Sequence, residues 1–542
     1  MDTKIAHVVS DLFSIEVDVQ LTRPEPQFGD YATNIALQLA GRLGKSPRDI
    51  AEQLAEKLRD NEEFVDVSVA GPGFINLKLS DRALLELIRQ QPRERKKGQK
   101  VVIETNNPNP FKAMHIGHAF NAVLGDTIAN LLAVDGAEVH RVSYHGDIGL
   151  HVGKSMYSLL RYVDGDISKL NKIPASDRNS FMSRMYAEGS KAYKEDEAAK
   201  AEIDELAKES FDPQSEIYKQ VYETCKKWSF EQIDEIVALL GNQPIERRFL
   251  ESEADPIGVE TVKKNTPEVF KESDGALVFE GSKYGAFDNA FVASNGNGLY
   301  AARDLGLMQL KNDAYHADKS YIITGGEQRD YFKGVIAAAE LCIPELKGVT
   351  VNIPTGLVKL TTGKMSSRDG QVVEISWLFD EFKKAIEARG GEPTDEIVAG
   401  ALRYQFLKVK IGSDVVFDVN EAVSLTGNTG SYLQYAHARA CNILAKVGDD
   451  VSVPNEVREE DRMLVRKLGE YHEVVEQAIT SLEPHHICTY LFELAQEFNR
   501  YYEKNQVVGS EHQDHRAALV ASYAETLKAG LGILGIAAPQ KM

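Results

Sequence analysis

Glu104-Thr105-Asn106-Asn107-Pro108-Asn109-Pro110-Phe111-Lys112-Ala113-Met114-His115-Ile116-Gly117-His118 is the stretch on which the reading of this 542-residue chain turns. Before it, Val101-Val102-Ile103 is a short β-branched run that reads as a buried parallel strand. After it, Val123, Leu124, Ile128, Leu131 and Leu132 fall at helical spacing within 119–133, and Gly136 marks a stop. A strand, a polar loop and a helix N-terminus in that order form a phosphate site, because unpaired N–H groups and the positive end of the helix dipole face the same point. The residues placed there suit that use. His115 and His118 can donate to phosphate oxygens, Gly117 lets a flat ring approach the backbone, and Lys112 supplies a mobile point charge.

Working outward, the length predicts two to four domains, and 43% hydrophobic content is that of an ordinary globular protein. The first residues lack the basic and apolar regions of a secretory signal, and no apolar run is long enough to span a bilayer. A cytoplasmic protein without membrane attachment is expected. Cys225, Cys342, Cys441 and Cys488 lie far apart with no C-x-x-C pair, which opposes a disulfide framework and a cysteine zinc site; no zinc is expected. A net charge of −20 opposes indiscriminate RNA binding, so any nucleic-acid partner must meet a local basic surface. The strip from Arg93 to Lys100 reads equally as such a surface or as a solvated linker between domains.

Residues 1–92 read as a small α/β domain. Tyr31 to Leu43 is amphipathic, Ser46-Pro47 opens a helix as N-cap and first helical residue, and alternation at Val65, Val67, Val69 and at Ile75, Leu77, Leu79 around Gly71-Pro72-Gly73 predicts a hairpin. Within 101–385, Val139 to Tyr144 reads as a second strand ending in His145-Gly146-Asp147-Ile148-Gly149, and sheet-like segments resume at Gly275 to Phe279. Charged helical sequence over about 153–241 reads as an insertion. Tyr300 and Asp304, four apart, share a helix face and read either as a surface pair or as a carboxylate and an aromatic hydroxyl offered to a ligand. Tyr321 to Thr324 reads as a strand with Gly325-Gly326-Glu327-Gln328 at its end, and Gly363 to Gly370 as a glycine-bounded loop. Residues 401–542 are helical. Leu464, Leu468, Tyr471, Val475, Ala478 and Leu482 predict one amphipathic helix, and Ile487, Leu491, Leu494, Phe498 and Tyr501 a second.

His115-Ile116-Gly117-His118 resembles the HIGH motif of class I aminoacyl-tRNA synthetases, and Lys364-Met365-Ser366-Ser367-Arg368 resembles their KMSKS motif. The Pro-Asn pair and lysine ahead of His115 are similar to the form in arginyl-tRNA synthetases. Further likeness to that family lies in Phe28 to Asn34 and Ala70 to Asn76, and in Gln434 to Arg439 and Leu534 to Pro539 near the other end. The resemblance implies a multidomain α/β fold: a tRNA-contacting N-terminal α/β domain over 1–92, a Rossmann-like class I catalytic domain over 101–385, and an all-α anticodon-binding bundle over 401–542. It implies ATP-dependent attachment of L-arginine to tRNA(Arg) through an arginyl-adenylate, by a monomer, with Mg²⁺ accompanying ATP.

The residues follow by match to the motifs. Lys112, His115, His118 and Lys364 would serve catalysis, and His115, Gly117, His118, Lys364, Ser366 and Ser367 would hold ATP. Asn107, Pro108, Asn109, His118, Glu251, Tyr300, Asp304 and Gln328 would hold arginine. The 145–149 segment is similar to the family's Gly-Asp-Trp-Gly-Thr-Gln, but Ile148, Leu150 and His151 depart from it, so only Asp147 carries over. Ser367 stands where the second motif usually has another lysine. A small nucleotidyltransferase would share the phosphate site but lacks the large helical C-terminal region. A binding paralogue that has lost catalysis would not keep Lys112, His115, His118 and Lys364 intact.

Overall fold

The computed structural model describes residues 1–361, 373–448, 454 and 456–542; the second motif, with Lys364, Ser366 and Ser367, lies outside them. The N-terminal domain comprises α1 (Asp2–Phe13), β1 (Tyr31–Thr33), α2 (Ile35–Leu43), α3 (Pro47–Leu58), β2 (Phe64–Ala70), β3 (Phe74–Leu79) and α4 (Asp81–Arg89), with the antiparallel sheet in the order β1-β3-β2. The stretch 31–43 is not one amphipathic element, because Tyr31 to Thr33 pair with Leu77 to Ile75 before the helix begins. A register shift between Phe64 and Asp66 turns Val65 out to solvent, so the alternation of the predicted hairpin fails at its first position. Ser46 is the N-cap of α3, but its side chain makes no capping hydrogen bond.

The middle region is built on a five-stranded parallel sheet whose strands lie side by side in the order 350–355, 319–325, 100–104, 138–145 and 247–250. Its chain runs β4 (Lys100–Glu104), α5 (Ile116–Val134), β5 (Glu138–His145), then an inserted run of α6 (Leu150–Val163), α7 (Ser168–Asn171), α8 (Arg178–Glu195), α9 (Glu197–Glu209) and α10 (Glu216–Leu239). β6 (Arg247–Leu250) and α11 (Glu251–Lys264) return to the sheet. The segment at 276–279 does not join it. It forms a separate antiparallel sheet of β7 (Phe270–Ser273), β8 (Ala276–Phe279) and β9 (Asn289–Val292). There follow α12 (Tyr300–Tyr315), β10 (Lys319–Gly325), α13 (Arg329–Cys342), β11 (Thr350–Thr355) and β12 (Val358–Leu360). Helices α11 and α12 cross at Gly258 and Gly306, where a β-carbon on either would overlap the carbonyl of Ala302 or Ala254. That close approach brings the starts of both helices to one edge of the sheet.

Helices then dominate: α14 (Ile375–Glu387), α15 (Asp395–Leu407), the short β13 (Val415–Phe417) paired with β12, α16 (Val419–Ala422), α17 (Gly430–Val447), α18 (Arg462–Leu468), α19 (Tyr471–Ser481), α20 (His485–Lys504) and α21 (Gln513–Ile533). The stripe from Leu464 to Leu482 is two helices and not one. Gly469 ends α18 where a β-carbon would crowd Leu87 of α4, and Leu482 takes a left-handed conformation as the C-cap of α19. The N-terminal domain docks on this bundle. Asp30 accepts from the Leu79 N–H and from Arg462 of α18, and Arg23 donates to Glu473 of α19. The basic strip is engaged within the protein as well: Arg95 and Lys96 pair with the buried Asp135 at the end of α5, and Arg93 with Glu476.

Among the described residues no helix is long and apolar enough to cross a membrane.

Candidate active site

β4 and β10 are adjacent, and chain leaving their carboxyl ends opens a crevice of the kind in which open α/β sheets hold ligands. A cavity of about 640 Å³ fills it, lined among others by Glu104, Asn107, His115, Gly117 and His118 from the β4–α5 segment, and by Glu251, Tyr300, Asp304 and Gln328 from α11, α12 and the end of β10. Thus Asn107, His115, Gly117, His118, Glu251, Tyr300, Asp304 and Gln328, singled out in sequence, come together around one space. Pro108 and Asn109 are not on its wall. The Pro108 carbonyl accepts from His145 Nδ1 at 2.5 Å, and Asn109 Oδ1 accepts the Gly146 N–H at 3.0 Å, so both hold the loop to the end of β5.

His115 is the N-cap of α5, and its own N–H donates to His118 Nδ1 at 3.3 Å. An Nδ1 that accepts leaves the proton of the neutral ring on Nε2, so His118 keeps one N–H free to donate. The two imidazoles stack with centroids 3.6 Å apart. Burial and then the charge of Lys112 lower His115 to about 4, and burial, His115 and Lys112 lower His118 to about 3. Both rings are therefore neutral near pH 7 and act as hydrogen-bond donors and not as cations. A β-carbon at Gly117 would stand 3.1 Å from the His115 ring, which folds back over the first turn. Lys112 is exposed, with its ammonium 5.9 Å from the Tyr186 ring of α8.

The backbone ahead of Lys112 is held from the insertion. Phe111 has φ +63°, outside the usual range of a bulky residue, and is fully buried with its ring stacked on Tyr222 of α10. Its N–H donates to Ser229 Oγ, and its carbonyl accepts from Ser155 Oγ of α6. The chain that resumes at Val373 is bonded to the first motif: Ile116 N–H donates to the Val373 carbonyl, and Ile375 N–H to that of Met114.

The opposite wall is acidic. Asp304 is half-buried and accepts from Tyr331 Oη at 2.5 Å; desolvation foremost, with Glu104 and Glu251 nearby, pushes it up to about 7. Glu251 is also raised, by burial first, although Arg303 Nη1 donates to its Oε2 at 2.9 Å. Glu104 takes Lys311 Nζ on one oxygen at 2.5 Å and Asn107 Nδ2 on the other at 2.6 Å, while Asn107 Oδ1 accepts the Tyr144 N–H. The orientation of the Asn107 amide is thereby set. Tyr300, in contrast, is 69% exposed at the rim. Asp147 does not face the cavity; it accepts from Ser252 N–H and Oγ and from Tyr222 Oη, capping α11 and tying it to the insertion.

Three residues of this wall, and the lysine that holds one of them from behind, were not singled out in sequence. Glu104 and Tyr144 lie at the carboxyl ends of β4 and β5, where strand ends in such sheets carry ligands, and Lys311 is on the same face of α12 as Asp304, two turns on. Tyr331 had no local signal, because its partner is 27 residues away.

The family model for the class I (R) tRNA synthetase catalytic domain matches residues 81–413, and those for the arginyl-tRNA synthetase N-terminal domain and the DALR anticodon-binding domain match 1–79 and 433–542. The chain belongs to the arginyl-tRNA synthetase family. An arginine–tRNA ligase of Methanobrevibacter smithii is 31% identical over 96% of this chain and 93% of its own length, and one of Porphyromonas gingivalis is 27% identical over 97% and 96%. The arginyl-tRNA synthetase of Thermus thermophilus superposes with a TM-score of 0.83 at 24% identity, covering 100% of this chain and 99% of that one. Membership of the arginyl-tRNA synthetase family accounts for the three-part architecture and for a catalytic domain that uses ATP.

Proposed function

We propose that the cavity activates arginine with ATP as an arginyl-adenylate and passes the arginyl group to a ribose hydroxyl at the end of tRNA(Arg). One observation carries the reading: a neutral donor pair at a helix N-terminus faces a buried acidic wall across a single space. Attack of the arginine carboxylate on the α-phosphorus requires alignment and neutralisation of developing charge more than a protein nucleophile. His118 Nε2–H and His115 donate to the phosphate oxygens as negative charge grows, and Lys112 brings a cation to the same side. Asp304, Glu251 and Tyr300 take the guanidinium, while Glu104, Asn107 and Gln328 surround the α-amino end. Mg²⁺ accompanying ATP would supply further charge neutralisation on its phosphates. Lys364, Ser366 and Ser367 of the second motif would bind the phosphates as well. The protein acts in the cytoplasm as a monomer.

Pyrophosphate exchange run with each of the twenty amino acids, with and without tRNA(Arg), tests this. Exchange with arginine alone among them, and only when tRNA is present, is the expected result; exchange with another amino acid, or with none, overturns the reading.

The acidic wall also sets a pH dependence. Arginine is a cation at every pH of interest and binds the ionised form of Asp304, so binding releases a proton and affinity rises with pH. With Asp304 at about 7 in the free protein, kcat/KM for arginine should rise about tenfold from pH 6 to pH 8 and then level off. In Asp304→Asn this rise should disappear. An acid limb near 7 that survives in that variant would assign the titration to another group.

A further inference from the structure

The largest fully buried side chain outside the cavity is Arg403 of α15, with no exposed surface. A guanidinium has five N–H donors, and five acceptors surround this one. Nε donates to the Leu534 carbonyl at 2.8 Å; Nη1 donates to the Leu240 carbonyl and to Asn242 Oδ1; Nη2 donates to Asp126 Oδ2 at 3.0 Å and Thr127 Oγ1 at 3.2 Å. The acceptors belong to three separate parts of the molecule. Leu534 closes the last helix, α21; Leu240 and Asn242 close the insertion; Asp126 and Thr127 lie on α5, whose first turn carries His115 and His118. Gly535 has φ +68°, and a β-carbon there would overlap the guanidinium. The C-terminal turn is therefore shaped around this contact.

Further bonds run along the same line. Asn130 Nδ2 of α5 donates to the Ile533 carbonyl, and Asp126 also accepts from Arg141 of β5 and from the Gln243 N–H. The ring of Phe406, on α15, packs against Phe120 of α5 at 5.4 Å. From the bundle side, Gln434 donates to the Ala537 carbonyl and His437 meets that of Pro539, so α17 holds the same terminal segment.

We propose that Arg403 is a positioning residue that couples the end of the helical bundle to α5, so that what the bundle holds sets the placement of the phosphate-binding imidazoles. Burial disfavours its charge, and only the complete set of acceptors compensates. Withdrawal of the Leu534 carbonyl would leave a buried donor unmet, so the terminal turn cannot move away cheaply unless Arg403 and its other partners move with it. α5 is 19 residues long, about 28 Å, and is stiff enough to carry a shift at Asp126 back to His118 within about 12 Å. This coupling rests on the reading of His115 and His118 as phosphate donors.

The test compares arginylation of full-length tRNA(Arg) with that of a minihelix lacking the anticodon stem and loop, in the wild type, Arg403→Lys and Asn130→Ala. Coupling of this kind typically amounts to about 5–150-fold. In the wild type, kcat on the full tRNA should exceed that on the minihelix by about 30-fold or more. Arg403→Lys keeps the charge but not the fork. It should lower kcat on the full tRNA about tenfold, hold KM for ATP and arginine within about twofold, and shrink the full-to-minihelix ratio to about threefold or less. A purely structural role would lower stability and both activities in parallel and leave the ratio intact, and that result overturns the proposal, as does a wild type indifferent to the missing stem. Should Arg403→Lys not fold, Asn130→Ala decides the matter: a ratio reduced about threefold or more supports the coupling, and an unchanged ratio refutes it. Absence of any arginylation by the wild type would instead refute the proposed function.

Discussion

Asp304→Asn should raise the Michaelis constant for arginine about 10²–10³-fold at pH 8 and leave that for ATP within about twofold, because it removes one partner of a desolvated charge pair worth roughly 3–5 kcal/mol. The acceptor count explains why this one oxygen pair matters. Tyr331 already donates to Asp304 Oδ2 and Arg303 to Glu251 Oε2, so Asp304 Oδ1 and Glu251 Oε1 are what remain for an incoming fork. A planar guanidinium can reach two separated acceptors at once, whereas an ammonium is a single point. Lysine should accordingly be rejected by roughly 10⁴-fold in kcat/KM. Arginine kinetics left unchanged in Asp304→Asn would remove this residue from the site, and equal rates with lysine would remove the whole acidic wall.

Lys112→Ala should slow adenylate formation about 10²–10³-fold, the scale for losing one preorganised donor to transition-state charge, with arginine affinity little altered. The lysine is exposed, yet its charge is felt at both imidazoles, which places it on the phosphate side of the cavity. Sequence adds a reason for a large effect: Ser367 is a hydroxyl where the second motif usually carries a cation, so fewer positive charges share the leaving pyrophosphate. Ser367→Lys in the Lys112→Ala background should recover part of the rate. Single-turnover adenylation is the measurement, and a near-normal rate in Lys112→Ala would make the residue a solvated loop charge.

The strand, loop and helix around His115 were legible because hydrophobic periodicity and glycine placement are local properties, and the same holds for the parallel strands at 139–144 and 321–324. The side-chain roles inside the loop were not. Asn107 and Asn109 are equivalent in a one-dimensional reading, and only the fold shows that one amide lines the cavity between Glu104 and Tyr144 while the other bonds to Gly146. Asp147 misled for a related reason: a carboxylate at a strand end reads as a ligand, but Ser252 is 105 residues away and invisible from its neighbourhood. The stripe at 464–482 kept its spacing across a break, since two helices in line preserve the same apolar face. Gln434 and His437, within a segment resembling the anticodon-binding bundle, turn inward to hold the chain terminus.

Phe111 has a bearing on how the protein acquires its shape. Its left-handed backbone is held by Ser229, 118 residues later, and its ring has no sleeve until α6 and α10 have packed. Closing so long a loop costs chain entropy that is recovered only when the insertion core exists, so this segment is ordered late. In a refolding experiment the helical signal should therefore return before the ability to form adenylate, and the last kinetic phase should belong to the few residues that aim Lys112 at its target.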